Sequence, residues 1–195
     1  MKVLVGTSGY SYKQWKGRFY PEDLPDSDML TYYGTRFRSV EINNTFYRMP
    51  SRDVLGKWAE RVPSEFVFVL KAPRRITHEK RLKAADGEIG HLLEVSSVLG
   101  ARLGPLLFQL PPFQKKDGPR LRDFLSLIPS GQKAAFEFRH ESWFDSEVLD
   151  ILSSRGAALC HADTEESTEQ TIRSTSTWGY LRLRRPDYDE AALRA

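Results

Sequence analysis

Ionisable side chains stand at alternate positions within several short apolar segments of this 195-residue sequence. Carboxylates and imidazoles in such positions can transfer protons, while arginine and lysine can hold the oxygens of an anionic ligand. The candidates for proton transfer are Glu41, Glu137, His161 and Asp163. The candidates for ligand binding within the same segments are Asn43, Lys71, Gln109, Arg139 and Arg182. Together they predict one charged pocket.

Strand parity supports this pocket, because successive residues of a strand point to opposite faces. In segment 39–43, Val40 and Ile42 are predicted to face a helix layer, which leaves Glu41 and Asn43 inside. The same argument places further polar side chains inside, namely Lys71, Gln109, Glu137, Arg139, Arg182 and Arg184.

The segment 157–163 is interpreted in the same way. His161 and Asp163 share one face, and Cys160 and Ala162 share the other. We predict that His161 and Asp163 point into the pocket, and that Cys160 faces the helices as an inert core residue. A neutral core histidine is the alternative for His161.

Seven strand-like segments recur along the chain, at 3–6, 39–43, 66–71, 105–110, 134–139, 157–163 and 178–184. Amphipathic stretches separate several of them. One helix is predicted to begin after Ser51, which can cap it, and to end before Pro63. Gly104 and Gly156 are predicted to end two further helices, and Pro129 a shorter one.

Alternating strands and helices predict a parallel sheet with right-handed crossovers. The first strand leads into GTSGYSYKQW, which lacks the GxGxxG turn of a dinucleotide-binding open sheet. A TIM (β/α)8-type barrel is therefore favoured. Such barrels have about 250 residues and eight units. We expect one domain over residues 1–195, with about seven units and without the last helix and the eighth strand.

The pocket has two interpretations. It is a structural ion-pair network that fills the barrel mouth, or it is a site for a ligand or a reaction. Ionisable groups gathered at the carboxyl ends of barrel strands favour the second. A divalent metal is a weaker alternative, because Lys71, Arg139 and Arg182 would repel a cation. No cofactor is therefore predicted.

Aromatic residues extend the candidate set. The loop GTSGYSYKQW either holds a phosphate with its backbone N–H groups or brings Tyr10, Tyr12 and Trp15 over the barrel mouth. Trp143 is either a core residue or an aromatic wall of the site. Tyr10, Trp15 and Trp143 are therefore included among the ligand-binding candidates.

The composition limits the classes of protein to which this sequence can belong. Hydrophobic residues make up 40% and charged residues 28%, as in ordinary globular proteins. The sequence has no apolar run long enough for a membrane span and no signal-peptide pattern at its start. The single Cys160 favours a reducing compartment, so a cytoplasmic location is expected.

The net charge of +3 is too small to indicate a nucleic-acid-binding protein by itself. One local basic run, KAPRRITHEKRLK at 71–83, is either a solvated loop or a phosphate-contacting segment. Nucleic acid is therefore a second candidate partner.

Several strings resemble one known family over essentially the whole chain. They are GTSGYSYKQWKGRFYP, FRSVEINNTFYRMPS, FVLKAPRRITHEKRL, GPLLFQLPP, AFEFRHESWF, CHAD and YLRLR. They resemble the domain-of-unknown-function family 72 (DUF72, YecE-like). The resemblance implies a TIM barrel with a polar pocket, and it implies no activity. Members continue through another helix and an eighth strand, so a fragment or truncated gene is expected.

The main functional hypothesis is an enzyme or binder for a small polar or anionic ligand of sugar or phosphate type. Glu137 is the predicted general base, with Glu41, Asp163 and His161 assisting, and Arg139, Arg182 and Lys71 as anion clamps. The alternatives are a nucleic-acid-processing barrel of endonuclease-like type and a non-catalytic ligand-binding fragment.

Overall fold

Seven short strands form one parallel sheet in the computed structural model, which describes residues 2–164 and 172–190. The strands are β1 (Gly6–Ser8), β2 (Ser39–Ile42), β3 (Val67–Lys71), β4 (Leu103–Gln109), β5 (Ala134–Glu137), β6 (Ala158–Asp163) and β7 (Tyr180–Leu183). Each strand pairs in parallel with the next along the chain. The predicted parallel α/β architecture is confirmed.

Helices connect most of these strands. They are α1 (Met29–Arg36), α2 (Asn44–Tyr47), α3 (Arg52–Glu60), α4 (Asp86–Ser96), α5 (Gly118–Ser126) and α6 (Ser146–Ser154). Short 3-10 segments occur at Lys13–Trp15, Asp26–Asp28, Ser97–Arg102 and Glu141–Trp143, and one π-helical turn at Arg75–Glu79. None of the described helices could span a membrane.

The predicted helix boundaries have mixed outcomes. Ser51 caps α3, since its Oγ accepts the backbone N–H of Val54 at 3.4 Å. Gly156 follows α6 with a φ of 60°. The prediction for Gly104 was wrong, because this residue lies in β4, where a Cβ would come within 2.5 Å of Val67. Close approach of two strands, and not helix termination, explains that glycine.

The first strand also begins later than predicted. The segment 3–6 was expected to form it, but β1 covers Gly6–Ser8. Val3 and Val5 precede it and are 65% and 63% exposed. Their apolar character alone therefore did not indicate a paired strand.

The sheet separates two apolar clusters. On its outer side, Phe68, Phe108 and Phe136 pack against the helix layer. On its inner side, a smaller cluster contains Val69, Leu107, Ala135, Ala158 and Cys160, with Trp178 and Tyr180 packed against it. This inner cluster joins β3 to β7, which requires a curled sheet. The fold is a half-barrel, consistent with a TIM-like barrel.

Candidate functional site

Three charged side chains meet inside the curled sheet. Arg182 on β7 donates from Nη2 to Oε1 of Glu41 on β2 at 2.8 Å, and from Nη1 to Oε2 of Glu137 on β5. Arg182, Glu41 and Glu137 are 4%, 5% and 3% exposed. Burial disfavours the charge of Arg182, but the two carboxylates outweigh this effect and raise its pKa. The predicted inward positions of these three residues are confirmed.

Glu41 has two more partners. Ser8 Oγ donates to its Oε1 at 2.9 Å, and the Tyr180 hydroxyl donates to its Oε2 at 2.8 Å. Burial alone would raise the pKa of Glu41, but the charge and hydrogen bonds of Arg182, with those of Tyr180 and Ser8, lower it overall. Glu41 is therefore an ionised structural acceptor whose two oxygens are both occupied.

The network continues from Glu137 towards the ends of the strands. Gln109 on β4 donates from Nε2 to Glu137 Oε1 at 2.6 Å. Its Oε1 accepts from Lys71 Nζ on β3 at 2.7 Å. Gln109 thus links Lys71 to the carboxylate without direct contact between the two charges.

Lys71 is half-buried at the carboxyl end of β3. Its Nζ lies 4.6 Å from the ring centroid of Phe46, which belongs to α2. Burial, followed by the charge of Arg182, lowers the pKa of Lys71, although Glu137 and Glu41 act in the opposite direction. No salt bridge joins Lys71 to a carboxylate within residues 2–164 and 172–190.

His78 lies beside this lysine on the π-helical turn. Its ring is 5.0 Å from the ring of Phe46, and its Nδ1 is 2.9 Å from Thr77 Oγ1. Burial lowers the pKa of His78, and the charges of Lys71, Arg74 and Arg139 lower it further. Single π turns of this kind occur frequently at functional sites.

The backbone after this turn is unusual. Arg81, Leu82 and Ala84 have φ values of 50°, 67° and 46°. Left-handed conformations cost energy for residues with a Cβ and cluster at functional sites. The strain therefore points to the same region of the molecule as the π turn.

Arg139 and Arg184 lie at the mouth and are exposed. Both residues follow the ends of their strands, since β5 ends at Glu137 and β7 at Leu183, so their inward parity stays a prediction. Their charges still affect the pKa values of His78 and Lys71 respectively. Neither arginine forms a salt bridge with a described carboxylate.

The parity prediction for β6 was wrong. Ala158 and Cys160 belong to the inner cluster, so His161 and Asp163 are on the opposite face. Burial raises the pKa of the Cys160 thiol well above its usual value. The inner wall of β6 is built from small apolar residues, which parity had assigned to the helix side.

Asp163 consequently has partners other than those predicted. Arg185 Nε donates to its Oδ1 at 2.7 Å, and the Tyr188 hydroxyl donates to its Oδ2 at 3.0 Å. Asp163 and His161 are not part of the network around Arg182. A catalytic role for either residue has no support in this geometry.

Tyr10 and Trp15 do not cover the mouth. Tyr10 packs between Tyr33 and Trp58, at centroid distances of 6.2 and 6.5 Å. Trp15 stacks on Tyr20 at 6.1 Å. Both side chains help to fix the β1–α1 connection to the helix layer.

Trp143 is a core residue. It is 1% exposed, stacks on Phe138 at 4.5 Å, and donates from Nε1 to the carbonyl of Gln114 at 2.7 Å. These contacts support the predicted role as a core residue and not the role as an aromatic wall of the site. Asn43, the remaining candidate, is partly buried just before α2, and its side chain does not cap that helix.

The described residues contain no group of three or more His, Cys, Asp or Glu side chains placed to hold a metal ion. Two cavities also lie apart from the charged network. One of about 690 Å³ is lined by Tyr47, Arg48 and His91, and one of about 130 Å³ by Gln132 and Arg155. The candidate site therefore rests on the clustered charges rather than on cavity size.

Several site residues were not among the candidates from the sequence. Tyr180 shares the parity of Arg182 and could have been found by the same argument. Ser8, Phe46 and His78 lie within the strings that carry the family resemblance, but their residue types gave no separate signal. Contacts with Glu41 and Lys71, and not spacing, identify them.

Comparison with known proteins gives the family. The family described as "Protein of unknown function DUF72" matches residues 4–195. The protein YecE of Escherichia coli K12, named UPF0759, is 33% identical over 155 residues, which cover 79% of this chain and 54% of that protein. YunF of Bacillus subtilis, also named UPF0759, is 26% identical over 166 residues and is covered over 58% of its length.

A solved structure agrees with this assignment. The crystal structure of a DUF72 family protein from Thermotoga maritima has a TM-score of 0.80 and 30% identity, and the match covers 98% of this chain and 77% of that one. The chain spans little more than half the length of the curated relatives it matches. By family match, sequence identity and structure, the chain belongs to the DUF72 family.

Proposed function

We propose that this chain binds a small anionic ligand, of phosphorylated or carboxylated polar type, and acts on it by acid–base chemistry. The proposed site is the mouth of the curled sheet, around Lys71. We also propose that the sheet is of the TIM-barrel class, in which sites form at the carboxyl ends of the strands. A reducing compartment such as the cytoplasm suits the free thiol of Cys160.

The observation that carries the proposal is uncompensated positive charge. Lys71, Arg139 and Arg184 have no salt bridge to any carboxylate of the described chain. Exposed cations of this kind attract anions, and a half-buried one interacts with less screening by solvent. An anionic ligand would supply the missing charge.

The buried acids have a different role in this proposal from that predicted. Glu41 and Glu137 each bind Arg182, and Glu137 also accepts a hydrogen bond from Gln109. A general base must reach the proton that it removes. We therefore assign proton transfer to His78 and Lys71, and assign the two glutamates to positioning Arg182 and Gln109.

Thermal-shift titration tests anion binding. Inorganic phosphate and glycerol 3-phosphate should raise the Tm of the wild type, and glycerol should not. We expect Lys71→Met to weaken phosphate binding by about tenfold or more, since charge-assisted hydrogen bonds contribute about 1.5–3 kcal/mol.

Lys57→Met is the matched control, because Lys57 is an exposed lysine on α3, outside the described network. Its affinity for phosphate should equal that of the wild type. An equal loss in both variants, or no Tm shift with any anion, would refute the proposed site.

Nucleic-acid binding is less well supported. Within the basic run, Arg75 and Lys80 bind Glu88 at 2.8 and 2.7 Å, so part of its charge is neutralised locally. Affinity for DNA or RNA that falls steeply with salt would favour this alternative.

A further inference from the structure

We infer that Lys71 is a nucleophile that forms an imine with an anionic aldehyde or ketone. The inference rests on the proposed function and deepens it, because it names the substrate class of the same site. The geometry that points to it is a lysine held in a partly apolar setting beside a histidine, with arginines at the rim.

Partial burial makes Lys71 easier to deprotonate than an exposed lysine. Its Nζ atom lies 4.6 Å from the ring centroid of Phe46 and donates to Gln109 Oε1, and these two contacts hold the nitrogen in place. Burial lowers the pKa of Lys71, with Arg182 adding to the effect. A lysine activated in this way, by an apolar setting and a neighbouring cation, is a recognised nucleophile for carbonyl groups.

Gln109 also fixes the direction of the amine. The hydrogen bond to its Oε1 uses one N–H of Lys71, and Gln109 is itself held by Glu137 at 2.6 Å. The lysine is thus positioned by two strands beyond its own. Such positioning reduces the entropy cost of attack on a bound carbonyl.

His78 can carry the proton that imine formation requires. It shares the ring of Phe46 with Lys71, and Thr77 Oγ1 lies 2.9 Å from its Nδ1. No hydrogen bond to its Nε2 is found within the described parts of the chain. Burial and then the nearby charge of Lys71 lower the pKa of His78, which favours its neutral form.

Neutral His78 first takes one proton from the Lys71 ammonium, which frees the lone pair of the amine. The lone pair attacks the carbonyl carbon, and a proton moves from the nitrogen to the carbonyl oxygen to give a carbinolamine. His78 then donates its proton to the leaving hydroxyl, and water departs as the C=N bond forms. The overall change is ammonium plus carbonyl to protonated imine plus water, with no oxidant or reductant.

The two arginines at the mouth of the sheet, Arg139 and Arg184, determine which charge the substrate carries. Arg139 and Arg184 are exposed and without carboxylate partners in the described residues, and their charges act on His78 and Lys71. They are placed to hold a carboxylate or phosphate attached to the carbonyl compound. The substrate class is therefore a small α-keto acid or a sugar-phosphate carbonyl.

Reductive trapping tests the inference on the intact chain. Pyruvate and dihydroxyacetone phosphate are the two probes, each added with sodium cyanoborohydride, and peptide mass mapping locates the reduced adduct. We expect most of the adduct on Lys71, from one probe or both, and none on this position in Lys71→Arg. The two probes distinguish a keto acid from a sugar phosphate.

Two further variants give controls. Lys57→Arg should leave the adduct on Lys71 unchanged. His78→Gln should retain phosphate binding but slow trapping by about a hundredfold, the usual range for loss of a general acid.

The outcomes separate the two proposals. Selective trapping at Lys71 supports the imine. Adducts spread over exposed lysines, or no adduct while phosphate still raises the Tm, overturn the imine and leave anion binding in place. Absence of any phosphate effect, together with unselective trapping, overturns both.

Discussion

The guanidinium of Arg182 donates to the carboxylate of Glu41 at 2.8 Å, although 141 residues separate the two in sequence. The contact crosses the interior of the sheet, from β7 to β2. Since Arg182 also binds Glu137, two buried negative charges depend on one cation. The charge balance of the interior is therefore set by a single side chain.

Loss of this cation should be severe. We expect Arg182→Met to lower the free energy of unfolding by about 3–5 kcal/mol, because it leaves two buried carboxylates without a counter-charge. Urea unfolding at neutral pH measures the change. The triple variant Glu41→Gln, Glu137→Gln, Arg182→Met should recover much of the loss.

Arg185→Met provides the control for that experiment. Arg185 pairs with Asp163, but its side chain is 49% exposed. Exposed pairs contribute at most about 1 kcal/mol. If both arginine variants were equally stable, the buried network would not have the energetic role assigned to it.

Low pH should weaken the contribution of Glu41 to the free energy of unfolding. Its pKa lies below the ordinary 4.5 in the folded chain. A depressed folded-state pKa contributes stability that is complete above the unfolded value and is lost as the pH falls through the folded one. The difference in unfolding free energy between wild type and Glu41→Gln should therefore shrink as the pH falls from neutral to below 4.5. A constant difference across this range would contradict the prediction.

Trp143→Phe should lower stability and leave ligand binding unchanged. The substitution removes the donor to the Gln114 carbonyl and creates a small void beside Phe138. We expect a loss of about 1–3 kcal/mol in unfolding free energy. Phosphate affinity should not change. A weakened affinity would indicate that Trp143 lines the ligand site.

The thiol of Cys160 should be unreactive in the native chain. It is 3% exposed, and burial raises its pKa, so little thiolate forms. A thiol reagent such as Ellman's should label the chain only after unfolding in urea. Fast labelling of the native protein would show that the inner cluster is open to solvent.

Sequence patterns predicted much of this arrangement. Alternation of apolar and polar residues placed Glu41, Lys71, Gln109, Glu137 and Arg182 on one face of five strands, and the structure confirms it. In each of these strands bulky apolar residues occupy the other face. That contrast makes parity a reliable guide.

The same rule failed for β6, where the polar His161 and Asp163 are on the outer face and Ala158 and Cys160 are on the inner face. Ala158 and Cys160 line the interior, in a cluster against which Trp178 and Tyr180 pack. Which face of such a strand is inside depends on the volume that distant side chains leave, and a local pattern has no information about it.

The sequence by itself determined the parallel α/β class and the residue types at the carboxyl ends of the strands, because side-chain alternation is a local property of the backbone. Only the tertiary structure decided the pairing of these groups. Arg182 binds the two glutamates, Gln109 separates Lys71 from Glu137, and His78 joins the site from a π turn. These contacts depend on the curl of the sheet, which brings together side chains from opposite ends of the chain.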